Sequence, residues 1–444
     1  MSQMTNTAEL ERAAELALAE AKKQGASSAE VGISHSEGLS VTVRQREVET
    51  LEHNNDTGLG ITVYFRHSKA SSSTSDLSEA AIAEAVKAAC NIAKHTQADD
   101  AAGLADANLM ATEFPELSLY HPWSIDVDKA IDLATLCEQA GLDSDSRISN
   151  SEGATVSSHS GQRVYANSHG FLGATQSSRH SLSATLIAED RRGMQRDYWY
   201  DIKRDANDLA SAESIGLKAA ERTLSRLGVG EVKTGSYPVI FNAQMAPSLF
   251  GQLISAIRGG ALYRKASFLL DKKGEQIFPE FIHVHEQPHI LKALGSASFD
   301  GEGVATQNRD IILDGVLQGY VLDSYAARRL GLQTTGNAGG VHNLTIDSST
   351  DADLAALIKK MDKGIIVTET MGMGVNIVNG DYSQGAAGFW VENGEIQYPV
   401  DEFTIASNLQ DMFMGIVDVG SDVDIRGNTR CGSVLIEKMM IAAS

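Results

Sequence analysis

Five consecutive residues, His285-Glu286-Gln287-Pro288-His289, satisfy the His-Glu-x-x-His pattern of zinc peptidases. The pattern works when two histidines four apart project from one face of a helix. The glutamate then stands beside the metal-bound water as its base. Pro288 stands immediately before the second would-be ligand, where it removes a backbone bond and collides with the preceding helical turn. The residues leading in, Phe281-Ile282-His283-Val284-His285, alternate like a strand. The stretch reads as a strand running into an exposed turn. His283 and His285 keep the capacity to trap a metal at a surface, whereas His35 and His53 have no visible partner in the sequence.

Asp300, Glu302 and Asp310 raise the chemistry of paired carboxylates or a cation site. Their spacing does not fit a calcium loop. Gly301 and Gly303 point instead to a turn whose acids are solvated or bonded to backbone amides. Arg264 and Lys265 could take a peptide carboxylate or a partner's acids, and a salt bridge capping the core fits them equally. No nucleophile elbow of the Gly-x-Ser-x-Gly type occurs. Cys90, Cys137 and Cys431 are far apart, so neither a disulfide framework nor a thiolate zinc site is indicated; Cys431 reads as a small buried hydrophobe. The Gly-rich segments 336–340 and 371–374 fit either loops lining a cleft or ordinary turns.

These residues must be positioned by a chain of 444 residues, long enough for two or three cores. Lys+Arg 37 against Asp+Glu 58 gives a net charge of −21. Such a field disfavours nucleic acid as a partner. No apolar run approaches the ~20 residues that span a bilayer, and the acidic amphipathic N-terminus is unlike a signal peptide. A cytoplasmic protein is expected.

The fold class expected is α+β: mixed helices and strands first, then a β-rich, barrel-like C-terminal domain with one prominent helix. Residues 1–98 read as a first domain: a helix over 5–24 stopped by Gly25, strands over 30–36, 39–43 and 58–65, a Ser-rich turn over 69–75, and a helix over 78–94. Gly58-x-Gly60 lies within a strand pattern and is not read as a phosphate loop. Residues 99–119 are a linker or covering loop. Residues 120–228 form a second α+β domain, with a helix over 127–142, β structure over 152–189 and a helix over 206–227. Asn167-Ser168-x-Gly170 is read as a hairpin loop. Residues 232–444 form the third domain. It opens with the strand Tyr237–Phe241 and a helix whose apolar face is Leu249, Phe250, Leu253, Ile254 and Ile257, entered at Pro247 and stopped at Gly259-Gly260. Asp314-Gly315 and Asn393-Gly394 are hairpin turns, and many short strands with glycine turns suggest a closed or nearly closed sheet.

Between Val232 and Leu270 there is no Asp, Glu, His or Cys. With the run Arg264-Lys265-x-Ser267-Phe268, and with Phe299–Thr306 and Asn379–Leu409, this stretch resembles the TldD/PmbA metallopeptidase family, in its PmbA (TldE) branch. The resemblance spans nearly the whole chain. In the catalytic branch a His-Glu-x-x-x-His zinc motif occupies the helix that follows this strand. Laid against it, those three positions are Gly251, Gln252 and Ala256, none of which supplies a metal ligand or a general base.

The resemblance therefore implies a subunit without zinc or catalytic residues of its own, working with a TldD-type partner that holds the zinc and the base. Its substrates would be small or unfolded polypeptides, as in the peptide-antibiotic maturation and antitoxin breakdown linked to the family. The resemblance makes Asp300 and Glu302 candidates for shaping the cavity. A homodimer is expected when the partner is absent. The other readings are a non-hydrolytic homodimeric peptide-binding or scaffold protein, and an autonomous peptidase using His285, Glu286 and His289, against which Pro288 argues.

Overall fold

The computed structural model describes residues 7–443, so the expected start of the first helix at residues 5 and 6 lies outside them. Helix α1 (Thr7–Lys23) buries an alanine-rich face and is followed by Gly25 at φ 88°, a conformation that only glycine adopts freely. Strands β1 (Ser28–Arg44) and β2 (Glu47–Phe65) are longer than the alternation alone suggests. The two segments expected at 30–36 and 39–43 are one strand, because β2 pairs with β1 along its whole length, through Ser36↔Asp56 and Leu39↔His53. Gly58 and Gly60 lie inside β2. The Ser-rich stretch expected as a turn is strand β3 (Ser68–Thr74), stitched to β2 by Ser71 and Thr62, whose hydroxyls lie 2.8 Å apart.

Helices α2 (Glu79–Ala93) and α3 (Val127–Leu142) begin where Ser78 and Asp126 accept a backbone N–H of the first turn. Strands β4 (Ile148–Asn167), β5 (Leu172–Asp190) and β6 (Gly193–Lys203) follow, then α4 (Ala212–Ser225). Helix α4 starts later than the periodicity suggests, because residues 206–208 make only a 3-10 turn and Ser211 is the cap. The six strands form one antiparallel sheet in the order β3-β2-β1-β4-β5-β6. Strand β1 pairs with β4 from Glu30↔Asn167 to Val43↔Ala154, so residues 28–74 and 148–203 share that sheet. Helices α1 and α2 cover one end of a face, over Val31, Ile33 and Val63; α3 and α4 cover the other end, over Val41, Val43 and Leu186. Residues 99–119 cover the junction with the C-terminal region. Arg328 donates to the carbonyls of Ala101, Gly103 and Leu104, and Tyr325 donates to Asp99.

The rest of the chain runs β7 (Gly235–Phe241), α5 (Ala246–Ile257), α6 (Gly259–Tyr263), β8 (Val284–Glu286), β9 (Arg309–Leu313), β10 (Val316–Leu317), α7 (Ser324–Leu330), β11 (Leu344–Ile346) and α8 (Leu354–Met361). It continues through β12 (Gly364–Met371), β13 (Val375–Asn376), β14 (Asp381–Glu392), β15 (Glu395–Asn408), α9 (Leu409–Met414), β16 (Ile416–Val419), β17 (Thr429–Arg430) and β18 (Val434–Ala442). Strands β12-β7-β18-β15-β14 are neighbours in that order, and β12 also pairs with β14, which closes the ring. This is the barrel expected. Asp314-Gly315 and Asn393-Gly394 all lie at positive φ and form the two hairpin turns.

Helix α5 is the longest helix of this region but has company, since α6 to α9 escape a periodicity search by running to only a few residues each. Gly259 is not a left-handed stop. It is the first residue of α6, where an added Cβ would lie 2.4 Å from that of Ala326 on α7. Smaller strands form a second sheet, β10-β9-β8-β11-β17. The C-terminal region docks on the first sheet through Phe299, whose ring meets Phe171 edge-on at 5.4 Å beside Tyr165. Among the described residues no helix is long and apolar enough to cross a membrane.

Candidate functional site

Helix α5 is held by its apolar face. Leu249, Phe250, Leu253, Ala256 and Ile257 are buried in the core that also takes Val239, Phe241 and Val367 of the barrel. Gly251 is exposed, with nothing within 4 Å of where a Cβ would stand. Gln252 is half-buried and Ala256 is fully buried, its carbonyl accepting the Ser267 hydroxyl at 2.6 Å. The first turn borders a cleft of about 510 Å³ between Tyr200, Arg222, Arg226, Pro247 and Glu369. A larger cavity of about 680 Å³ lies between the first sheet and the C-terminal region, lined by Arg163, Gln176, Arg204, Phe299 and Asp300.

Arg264 and Lys265 are exposed at the end of α6. Among the described residues neither makes an ion pair, so the salt-bridge cap is not formed; Arg264 lies over the ring of Tyr263 at 5.5 Å, and Tyr263 meets Tyr325 edge-on. Asp300 is buried, and its carboxylate is consumed by the backbone: it accepts from Glu302 at 2.8 Å, Val304 at 3.0 Å and Ala338 at 2.9 Å. Burial pushes its pKa up, and the three amides offset part of that. Glu302 accepts the N–H of Ser324 at 3.0 Å at the start of α7. Burial, with help from the charges of Asp300 and Asp323, carries its pKa from 4.5 to about 7. The turn reading holds for both acids, in the form in which they bond backbone amides; Asp300 is buried and Glu302 half-buried.

The His-Glu-x-x-His stretch is β8 followed by a turn, as Pro288 requires, though the turn is half-buried where an exposed one was expected. Its three chemical groups diverge. His285 bonds Asp347 at 2.9 Å, His289 bonds Thr306 at 3.1 Å, and Glu286, 2 % exposed, faces the interior. Glu286 Oε2 accepts from Arg309 at 2.8 Å, while Oε1 accepts from Asn337 and the His342 amide, both at 2.7 Å. Burial works to raise the Glu286 pKa, but His342 and Arg309 outweigh it and hold the carboxyl below its usual range.

This network was not found by sequence reasoning, because Glu286, Arg309, Asn337 and His342 meet only through the pairing of β8 with β9 and β11. Gly336–Gly340, read as a loop of either kind, is pinned to that network by Asn337. In the second Gly-rich segment Gly374 packs against the backbone of Ser383, while Met373 is fully exposed. Asn167–Gly170 forms the expected hairpin loop, with Gly170 donating to the Asn167 carbonyl at 3.0 Å. Cys431 is fully buried near the last strand, and burial drives its thiol pKa well above the ordinary range. His35, for which the sequence offered no partner, bonds Thr57 at 2.8 Å.

The architecture is that of a metallopeptidase family. Models of the PmbA/TldA metallopeptidase domain 1, central domain and C-terminal domain match residues 29–93, 120–227 and 234–443. The chain belongs to this PmbA/TldD family. It is similar to Metalloprotease PmbA of Escherichia coli O157:H7, 51% identical over 96% of this chain and 94% of that one. A crystal structure from Bacteroides thetaiotaomicron superposes with a TM-score of 0.93 at 31% identity, covering 98% of both chains. TldE from Thermococcus kodakarensis shares the fold, with a TM-score of 0.85 at 20% identity over 97% of this chain and all of that one.

Proposed function

We propose that this chain is the PmbA/TldE-type, non-catalytic subunit of a two-subunit metallopeptidase acting on small or unfolded polypeptides. The observation that carries the reading is the character of α5. At the three positions where the family's catalytic branch bears His, Glu and His, this helix presents a glycine without a side chain, a neutral amide and a buried alanine. These residues do not fit a zinc ion, so no hydrolytic step is assigned to them. A TldD-type partner would hold the metal and the base, and this chain would complete the enclosure. In the cavity beside Asp300 the exposed Arg163 suits the carboxylate of a peptide, whereas Arg222 and Arg226 beside α5 are already paired with Asp197, Glu369 and Asp401. Arg264 and Lys265, without an ion pair among the described residues, suit the acids of a partner.

Against the autonomous peptidase reading stands the pairing of Glu286 with Arg309, on the opposite face of the strand from His285. The test is hydrolysis of an unfolded protein by the purified chain, by a TldD-type subunit, and by the two mixed. Cleavage that needs the TldD-type subunit, is raised by this chain and is abolished by a chelator is expected. Metal-dependent cleavage by this chain alone would overturn the proposal. Stable peptide capture with no gain in cleavage from any mixture would favour the homodimeric scaffold.

A further inference from the structure

Away from α5, on the five-stranded sheet, His283 and His285 lie two apart at β8, so both project from the same face. Their rings stack with centroids 4.7 Å apart. Asp310 on the neighbouring β9 sits opposite His285, and Asp347 follows β11 on the other side, its N–H donating to the His283 carbonyl at 3.1 Å. Three adjacent strands thus bring two imidazoles and two carboxylates to one half-exposed patch. The contacts are His283 Nε2 to Asp310 at 2.9 Å, His283 Nδ1 to Asp347 at 3.2 Å and His285 Nε2 to Asp347 at 2.9 Å.

The arrangement around His283 poses a problem of valence. A neutral imidazole has one N–H and one lone pair, and an ionised carboxylate has no proton to give. Both ring nitrogens of His283 face carboxylates, so a neutral ring sets a lone pair against an oxygen lone pair at one of the two contacts. A cation between nitrogen and oxygen removes the conflict, and that cation is either a second proton on the ring or a metal ion.

We propose that His283, His285 and Asp310 form a binding site for a divalent transition metal of the zinc class, with Asp347, which bonds both rings, as their outer carboxylate partner. One nitrogen or oxygen each from His283, His285 and Asp310 already lie within 4.8 Å of one another. Ligands about 2.0–2.1 Å from a tetrahedral ion stand roughly 3.3 Å apart, so these side chains must close by up to about 1.5 Å. Two imidazoles select zinc, cobalt, nickel or copper over calcium and magnesium, which take oxygen ligands. Two carboxylates neutralise the charge of the ion. A bound ion ties β8, β9 and the end of β11 together, on the side of the sheet away from the buried Glu286 carboxylate. This site is separate from the zinc expected in a TldD-type subunit.

The test uses the full chain alone, stripped with a chelator, dialysed, and titrated with Zn²⁺ by calorimetry and with Co²⁺ by visible absorption. About one equivalent is expected, with Co²⁺ bands of mixed nitrogen and oxygen ligation. His283→Ala and His285→Ala should each weaken binding by ~100-fold, and Asp347→Asn by about tenfold. His289→Ala, which removes a ring outside the cluster, should leave binding unchanged, and circular dichroism verifies the fold of each variant. Less than about a tenth of an equivalent bound, or an affinity unmoved by both histidine substitutions, would show that the patch is only an imidazole–carboxylate cluster. Neither result bears on the subunit reading, which is decided by cleavage in the mixture.

Discussion

Glu286 and Glu302 stand in the same stretch of chain, one buried and one half-buried, and their pKa values move in opposite directions. Glu286 has the guanidinium of Arg309, the ring of His342 and two amide donors, and it is held ionised. Glu302 has a backbone N–H and two acidic neighbours, and its pKa climbs to about 7. Burial raises both, so the difference lies wholly in the partners. A glutamate that looks catalytic in the sequence is here a structural anion. Glu302, read from the sequence as an acid of a glycine turn and a candidate for shaping the cavity, is the one whose pKa is carried to about 7.

The largest effect should follow from removing the structural anion. Glu286→Ala leaves Arg309 charged and unpaired in the interior and removes the carboxylate to which Asn337 of the Gly336–Gly340 loop donates. A loss of about 3–5 kcal/mol is expected in denaturant unfolding. A midpoint close to that of the natural chain would show that the network is dispensable.

Glu302 should reveal itself through pH. Its folded pKa of about 7 exceeds its ordinary 4.5. Below 4.5 the carboxyl is protonated in both folded and unfolded chains. Between 4.5 and about 7 the unfolded chain loses the proton first, so stability falls as pH rises, and above 7 the loss is complete. The gap caps this contribution near ~3 kcal/mol. Glu302→Gln should flatten that segment of the stability profile and raise stability at pH 8; an unchanged profile would place the titration elsewhere.

Asp300 is intermediate, a buried acid fed by amides alone. Asp300→Asn keeps one acceptor oxygen but turns an amino group toward an N–H that needs an acceptor. A cost of about 1–3 kcal/mol is expected, again by denaturant unfolding. A substitution without cost would mean that the turn closes without its carboxylate. Smallest of all should be Arg264→Ala, which removes an exposed side chain and should move stability by less than about 0.5 kcal/mol. If it lowers cleavage by the mixed subunits while stability holds, the exposed arginine belongs to the partner or substrate surface.

Local chemistry made much of this legible. Pro288 alone was enough to refuse the zinc helix, because a ring without an N–H acts on its own turn whatever surrounds it. Asp314-Gly315 and Asn393-Gly394 declared their hairpins for the same reason: positive φ is a property of two residues. The apolar face of α5 and the acid-free stretch around it are likewise sequence facts.

Other features needed the fold. The hairpin between β1 and β2 turns at Gln45 and Arg46, with φ of 52° and 66°, residues that carry no turn signal. Their N–H groups are held by the carboxylate of Glu138, reaching over from α3. The serines of β3 become a strand because β2 offers an edge to pair with. Arg309, Asn337 and His342 reach Glu286, and Asp310 and Asp347 reach His283, from stretches far along the chain that only the pairing of β8 with β9 and β11 brings within a hydrogen bond. Backbone preference is settled within a few residues and is written in them. The charge state of a buried acid depends on groups that sequence distance hides, and strand pairing alone decides which of them arrive.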